Sequence, residues 1–367
     1  MRSATRMTLP HRSNPGNSPI ATMETTMPIN DEKYLVTGAA GQLGCCLQNA
    51  WGGEEGNAIP RAKEAFDITN EEHVQEWLPR LNPDVVINCA GYTNVQQAEE
   101  DRHTCWRANV LGVANLAEVC SENDIALLHI SSDFVFGQDY SKSTGTLRGH
   151  DPTKRREPTL AEKAAKLCYG VDAVPGPTGF YGYTKALSEQ VIQQRALNNP
   201  DFQYYIVRTA GLYEKPWRRG RNFPYAIASR LLNQRVGEVD VVSDVTTNIT
   251  YVPHLVKALK WLVENRNEIT VEGVTVPVGT YHITNKGMTS WYRVAQALDQ
   301  LLGFSGKLRE TTQREYCAQN GQRLELSPAF TALCPDKYEE TLGPKMPPWQ
   351  AGIKEWAEEA VKHFRKG

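Results

Sequence analysis

Tyr181 and Lys185 stand four residues apart in the stretch YGYTKALSEQVI. In a helix that spacing places both on one face, with Cβ atoms about 6 Å apart. A phenol titrates near about 10, so a tyrosine that acts as a general acid near neutral pH needs a neighbour that favours its phenolate. An ammonium is such a neighbour; the same pair also occurs on ordinary surface helices. Ser131, Ser132 and Asp133 follow the apolar run IALLHI, where a parallel sheet would present its ligand-binding edge. A hydroxyl there can hydrogen-bond a substrate carbonyl beside the tyrosine, or simply cap the next turn. A hydrolytic relay of His129, Ser131 and Asp133 fails on geometry, because alternate residues of one strand point the same way and the chain has no G-x-S-x-G elbow.

Gly38, Gly41 and Gly44 recur every three residues where a short apolar strand, KYLVT, gives way to a helical pattern. Glycines there let the backbone approach a pyrophosphate, whose charge then lies on the helix N-terminus. Glycine turns also end strands for purely steric reasons, and it is the strand-to-helix position that points to a dinucleotide. The second strand, NAIPRAK, lacks the terminal carboxylate that binds a ribose 2′-hydroxyl and offers Arg61 and Lys63, which could hold a 2′-phosphate or be solvated loop charges. NADPH is therefore the expected cofactor, with NADH as the alternative.

The elements that must position these groups alternate. Strands at KYLVT, NAIPRA, DVVINCAG, IALLHISSD and QYYIVRT are separated by helical stretches, one of them starting near Tyr181. Nearly all-apolar strands in that order predict an α/β fold, a Rossmann-like doubly wound parallel sheet covered on both faces. Beyond residue 215 the pattern becomes mixed, predicting a smaller α+β C-terminal lobe. The expected organisation is a tail over residues 1–30, a dinucleotide-binding domain over 31–220 with part of 240–265 returning to it, and a mainly substrate-binding lobe over 221–367. Residues 138–168 are polar and basic and read as a surface insertion. The tail is rich in Arg, Pro and Ser/Thr and holds four of the six methionines; an over-long start and an organelle transit peptide are its two readings.

The chain has 367 residues and a formal net charge of -2, which removes the basicity of a general nucleic-acid coat. No apolar run approaches the roughly 18 residues that cross a bilayer. The eight cysteines include no C-x-x-C pair and mostly sit in apolar surroundings, as free thiols of a reducing compartment do. No metal site is expected from the Cys and His spacings. These features predict a cytoplasmic protein with a small-molecule ligand, monomeric or homodimeric.

VTGAAGQLG, NCAGYTNVQQAEED, ISSDFVFG, YGYTK and RTAGLY, taken in order, resemble the extended short-chain dehydrogenase/reductase superfamily and, within it, the dTDP-4-dehydrorhamnose reductase family. VVSDVTTNITYVPHLV, GTYHITNKGMTSWYRVAQAL and PPWQAGIKEW resemble that family's later motifs, so the likeness runs from about Tyr34 to about Phe364. The resemblance implies hydride transfer from NAD(P)H to C4 of a 4-keto-6-deoxy sugar nucleotide. Tyr181 would be the proton donor, Lys185 its pKa-lowering partner and a hold on the nicotinamide ribose, Ser132 the group that orients the carbonyl, and Asn109 the matching helix residue. Gly38, Gly41, Gln42, Leu43 and Gly44 would hold the pyrophosphate, Arg61 the 2′-phosphate, and Asp67 and Ile68 the adenine side. Ala90, Gly91 and Tyr92 would line the cleft. Substrate would meet Ser132, Asp133, Phe134 and Tyr181. Outside the family pattern, Arg218, Arg219 and Arg221, followed by Asn222, could clamp a nucleotide diphosphate through their bidentate forks or form a solvated basic loop.

Three departures from the family pattern bear on the substrate. Gly211 stands where relatives usually carry Trp, KPWRRGRNF is unusual, and Gln96 replaces an Asp. Ser132 is followed by Asp133 and Phe134 rather than the Asp-Glu pair a sugar-nucleotide dehydratase needs. The alternatives left are a non-catalytic regulatory subunit resembling the β subunit of methionine adenosyltransferase, and another NAD(P)-dependent sugar-nucleotide reductase or epimerase.

Overall fold

The computed structural model describes residues 32–51, 58–61, 63, 65–137, 168–214, 222–232, 237–266, 276–303, 307–341 and 343–364. The expected tail, most of the 138–168 insertion, and Arg218, Arg219 and Arg221 lie outside them.

The first half alternates as the apolar runs predict. Strand β1 (Tyr34–Thr37) leads through the glycine turn into α1 (Gln42–Ala50), followed by β2 (Ala58–Arg61), α2 (Glu71–Leu81) and β3 (Val85–Asn88). Helix α3 (Arg102–Trp106) passes through a π-helical turn, Arg107–Leu111, into α4 (Gly112–Glu122), and β4 (Ala126–Ser132) follows. Helix α5 (Phe180–Asn198) and β5 (Tyr204–Thr209) complete this half.

After β6 (Leu212–Tyr213) come α6 (Phe223–Leu232), β7 (Val239–Val242), β8 (Thr250–Tyr251), α7 (Val252–Glu264) and β9 (Gly279–His282). The chain then adds α8 (Trp291–Leu302), β10 (Leu308–Thr311), α9 (Gln313–Asn320), α10 (Asp336–Glu339) and α11 (Trp349–Phe364).

Six strands form one sheet in the order β2-β1-β3-β4-β5-β9, every pairing parallel. Side chains alternate between its faces. Tyr34 and Val36 join one apolar cluster with Leu47 of α1 and Leu255 and Leu259 of α7, whereas Leu35, Val86 and Leu127 join the other with Val74 of α2 and Leu116 of α4. Burial on both faces explains why the strands read as unbroken apolar runs. Within 240–265, then, it is α7 that packs on the main sheet, while β7 pairs with β10 in a separate two-stranded sheet. The sixth strand, β9, was hidden because GTYH carries no apolar run.

A third cluster gathers Ile227, Val239, Val241, Val294, Leu298 and Trp356 from the C-terminal part of the chain. One expectation is corrected here. Cys168 and Cys334, separated by 166 residues, are joined in a disulfide with their Cα atoms 5.3 Å apart, so the eight cysteines are not all free thiols. Sequence spacing does not reveal a pairing made by the fold. Among the described residues no helix is long and apolar enough to cross a membrane.

Candidate active site

The C-terminal ends of β1, β3, β4 and β5 open onto a cleft of about 830 Å³, within the range of small-molecule and cofactor sites. At one end lies the glycine turn. Gly38 has φ +61°, and a Cβ on it would lie 2.6 Å from the Ala90 backbone nitrogen, so only glycine brings the first and third strand ends this close. The Gly41 N–H closes the turn on the Gly38 carbonyl at 2.8 Å. Gly41 is also the N-cap of α1 and brings no side-chain oxygen to its first-turn N–H groups, and no acidic residue occupies that turn. A helix start left in this condition suits an anion.

Gln42, Leu43, Gly44, Asp67, Ile68, Ala90, Gly91, Tyr92 and Asn109 all line the same cleft. Asp67 turns Oδ1 back to accept from the Thr69 N–H and hydroxyl, both at 2.9 Å, which fixes its loop. Asn109 stands on the π-helical turn and is fully buried. Its Oδ1 accepts from the Tyr92 N–H at 2.8 Å, while Nδ2 donates to the Tyr92 carbonyl at 3.1 Å and to Thr184 Oγ1 at 3.0 Å. Asn109 thereby braces the 90–92 loop against α5; an extra residue in a helical turn is a common way to aim such a group.

Ser132, Asp133, Phe134, Tyr181 and Lys185 form the other end of the cleft. Ser132 ends β4 and Tyr181 lies in the first turn of α5, and the two elements meet closely because of Gly182, where any Cβ would fall on the Phe134 carbonyl oxygen. Phe134 packs edge-on against the Tyr181 ring at 5.8 Å. The Ser132 hydroxyl bonds to Tyr181 and lowers its pKa, but burial prevails and the phenol is pushed up to about 12.

The influences on the Tyr181 phenol are burial, Ser132, Asp133 and Cys105, and the expected lowering by Lys185 is not among them. Lys185 Nζ is drawn to the Ile130 carbonyl at 2.7 Å and to His129 Nε2 at 3.0 Å, and burial brings its own pKa down to about 8. Asp133 is buried as well. Its carboxylate accepts from the hydroxyls of Ser132 at 3.1 Å, Thr247 at 3.3 Å and Thr331 at 2.6 Å, yet desolvation still raises it to about 6. Through Asp133 the serine is tied to two segments of the last third of the chain.

Asp133, Phe134 and Gly211 also wall a second cavity of about 350 Å³, lined on its far side by Phe223, Arg230, Trp291 and Tyr316. The two spaces share Asp133, Phe134 and Gly211. Gly211 has φ +53°, and a Cβ there would lie 2.9 Å from the Asn248 carbonyl, which accounts for the absence of a bulky residue at that position. Gln96 lies away from both cavities and pairs its amide with the Arg323 backbone.

Two of the expected ligand residues do not line the cavities. The Arg61 guanidinium turns to its neighbour's carbonyl, Pro60 O, at 2.9 Å and does not line the cleft; Lys63 does. Asn222 lines neither cavity, because its Nδ2 donates to the Glu214 carbonyl at 3.2 Å and its Oδ1 accepts from the Tyr225 N–H at 3.0 Å. Both ends of that amide are spent starting α6. Residues that sequence reasoning missed include Gly182, Thr184, Asn88 and Glu189. The glycine inside Y-G-Y-x-K was the available signal for the first; the others are polar groups in apolar strands or on a helix whose burial only the fold reveals.

The family model of the RmlD substrate binding domain matches residues 32–362. The chain belongs to this family. It is 31% identical over 277 residues to the dTDP-4-dehydrorhamnose reductase of Mycolicibacterium smegmatis, covering 76% of this chain and 71% of that one. It is 30% identical over 310 residues to the dTDP-4-keto-6-deoxy-D-glucose reductase of Streptomyces niveus, covering 84% and 91%.

Among solved structures, the dTDP-4-dehydrorhamnose reductase of Bacillus anthracis in complex with NADP superposes with a TM-score of 0.71 at 27% identity, covering 89% of this chain and 99% of that one. A UDP-glucose 4-epimerase of Thermus thermophilus in complex with NAD reaches 0.64 at 16% identity, covering 89% and 98%, a likeness of fold alone. Membership of the RmlD family agrees with the motif series read from the sequence.

Proposed function

We propose that this member of the RmlD family is an NADPH-dependent reductase of the C4 ketone of a dTDP-linked 4-keto-6-deoxy sugar, acting as a dTDP-4-dehydrorhamnose reductase in dTDP-L-rhamnose synthesis. The observation that carries the reading is the meeting of Ser132, Tyr181 and Lys185 at one end of a cleft whose other end is an uncapped glycine-turn helix start. The glycine turn and α1 would hold the pyrophosphate, Lys63 a 2′-phosphate, Asp67 and Ile68 the adenine side, and Ala90–Tyr92 the middle of the dinucleotide. When bound, the reduced nicotinamide supplies the hydride that reaches the carbonyl carbon.

The residues of the chain supply the proton and the alignment. Ser132 turns its one hydroxyl hydrogen from Asp133 to the ketone oxygen, and Tyr181 gives that oxygen its proton as negative charge develops. The charged form of Lys185 favours the phenolate left behind. Burial pushes the Tyr181 phenol up, so it enters the reaction protonated. The second cavity, with its aromatic side chains and Arg230, would receive the nucleotide part of the substrate. The reading places the enzyme in the cytoplasm, as a monomer or homodimer whose partners are small molecules.

The test is NADPH oxidation followed by absorbance with dTDP-4-dehydrorhamnose, comparing wild type with Tyr181→Phe. The substitution is expected to lower kcat by at least about 10²-fold while cofactor binding persists. Folded wild-type protein that binds NADPH but consumes none would overturn the reading and move the regulatory-subunit and epimerase alternatives ahead.

A further inference from the structure

Behind the reacting edge runs a line of buried polar groups that the reductase reading leaves unused. Thr37 ends β1, Asn88 ends β3, His129 lies within β4, and Ser188 follows Lys185 by three residues on α5; all are buried. Their hydrogens can be assigned one after another. The Ala90 backbone N–H, which can only donate, meets Asn88 Oδ1 at 3.1 Å, and the Thr37 hydroxyl donates to the same oxygen at 2.7 Å. The amide orientation is therefore fixed, and its Nδ2 faces His129 Nδ1 at 3.0 Å. An amide NH₂ offers hydrogens only, so Nδ1 must be the acceptor.

Burial and the nearby Lys185 both disfavour an imidazolium at His129. The neutral ring then carries its one proton on Nε2. That N–H faces Lys185 Nζ at 3.0 Å and Ser188 Oγ at 3.2 Å. Ser188 spends its own hydrogen on the Lys185 carbonyl at 2.7 Å. An ammonium has no lone pair to offer the Nε2–H, whereas an amine does. The Ile130 carbonyl, at 2.7 Å from Nζ, can accept from either form.

We propose that His129 is a positioning residue that acts through Lys185: held as its Nε2–H tautomer by Asn88, it aims the lysine and stabilises its uncharged amine, and so sets the alkaline limit of the reaction. The proposal rests on the reductase reading, in which Lys185 must be charged as the Tyr181 phenolate forms. Lys185 is faced by Glu189 on its own helix, which favours the ammonium, by the thiols of Cys89 after β3 and Cys105 on α3, and by His129 on β4. Glu189 is itself bound by Arg208 of β5 in a buried ion pair at 2.6 Å and accepts from the Ser131 hydroxyl. Against that background, the balance between burial and Glu189 leaves Lys185 near 8, where a single N–H donor decides much of its charge at working pH.

The tautomer is read directly from the ring ¹⁵N shifts of His129 in the full-length protein. The expected pattern from pH 6 to 9 is a protonated Nε2 and a bare Nδ1. A protonated Nδ1, or an imidazolium in that range, would overturn the proposal, and neither result depends on turnover, so failure here is separable from failure of the reductase reading. The second arm is the pH profile of kcat/KM. In His129→Leu the alkaline limb is expected to move up by about one pH unit, and an unmoved limb would contradict the proposal. Asn88→Asp serves if the leucine variant does not fold: a carboxylate accepts from Nδ1, so the tautomer reverses, Nε2 becomes an acceptor for the ammonium, and the limb again moves up. Retention of the wild-type ¹⁵N pattern in folded Asn88→Asp would contradict the assignment.

Discussion

The proton-handling edge and the neighbouring aromatic cavity share Asp133 and Phe134 but are built in opposite ways. At the edge, the groups come from β1, β3, β4 and the turn after it, the π-helical turn and the first turns of α5, and Asn88, Asn109, His129, Asp133 and Lys185 are each fixed by two or more hydrogen bonds. In the cavity, Phe223, Arg230, Trp291 and Tyr316 come from three helices spread over residues 223–320 and meet mainly through packing, as in the 4.7 Å contact between Phe223 and Trp291. A buried hydrogen-bonded network tolerates little rearrangement, because each unpaired group costs desolvation. Apolar packing tolerates replacement when volume is kept. The edge is thus the part suited to keeping one chemistry, and the cavity the part suited to choosing a substrate.

Ranked by effect on turnover, the sharpest way to break the edge is Gly182→Ala. The added methyl meets the Phe134 carbonyl oxygen, so α5 and the Ser132 turn must separate, and kcat is expected to fall by about 10²-fold or more, as steady-state kinetics would show. An unchanged kcat would mean that this close approach does not position the tyrosine.

Asp133→Asn probes the link between the two regions. The folded-state pKa of Asp133, about 6, lies above the ordinary carboxylate value, so the folded protein binds the extra proton and stability contributed by this group is complete below about pH 4. That stability is lost as pH rises through about 6, to the extent of about 3 kcal/mol for two pH units. Denaturant titrations across that range are expected to show the slope in wild type and its disappearance in Asp133→Asn, with a smaller loss of kcat than at Gly182.

On the cavity side, Trp291→Ala is expected to raise the KM for the sugar nucleotide by about tenfold with kcat nearly unchanged, since binding shared by ground and transition states affects KM alone. A fall in kcat equal to that in kcat/KM would show that the cavity takes part in the chemistry and would erase the contrast. The smallest effect on turnover belongs to the Cys168–Cys334 bridge. Reduction opens a loop of 166 residues, for which chain entropy alone gives up to about 5 kcal/mol. Thermal melts with and without reductant should differ by several degrees while kcat stays the same.

The edge was largely legible before the fold because its signals are local. Tyr181 and Lys185 are one helical turn apart, Ser132 ends an apolar strand, and the three glycines fall at a strand-to-helix junction. What stayed hidden depends on contacts across long separations. Asp133 meets Thr331 across 198 residues, and the Cys168–Cys334 pair spans 166. The direction of the Arg61 side chain was not legible, because strand position does not decide which way a long side chain turns. Nor was the use of Asn222 as a helix-starting amide, which depends on the carbonyl of Glu214 eight residues earlier. His129 could be rejected as part of a hydrolase relay, but its pairing with Lys185 could not be seen until α5 was laid against β4.

The most direct test of the central claim follows the hydride itself. NADPH deuterated at the transferring C4 position is incubated with wild-type protein and dTDP-4-dehydrorhamnose, and the product is examined by mass spectrometry and NMR. One deuterium per product molecule, located on the former carbonyl carbon and accompanied by stoichiometric cofactor oxidation, is the predicted result. Unlabelled sugar with the cofactor unconsumed, from folded protein that binds both molecules, would contradict it.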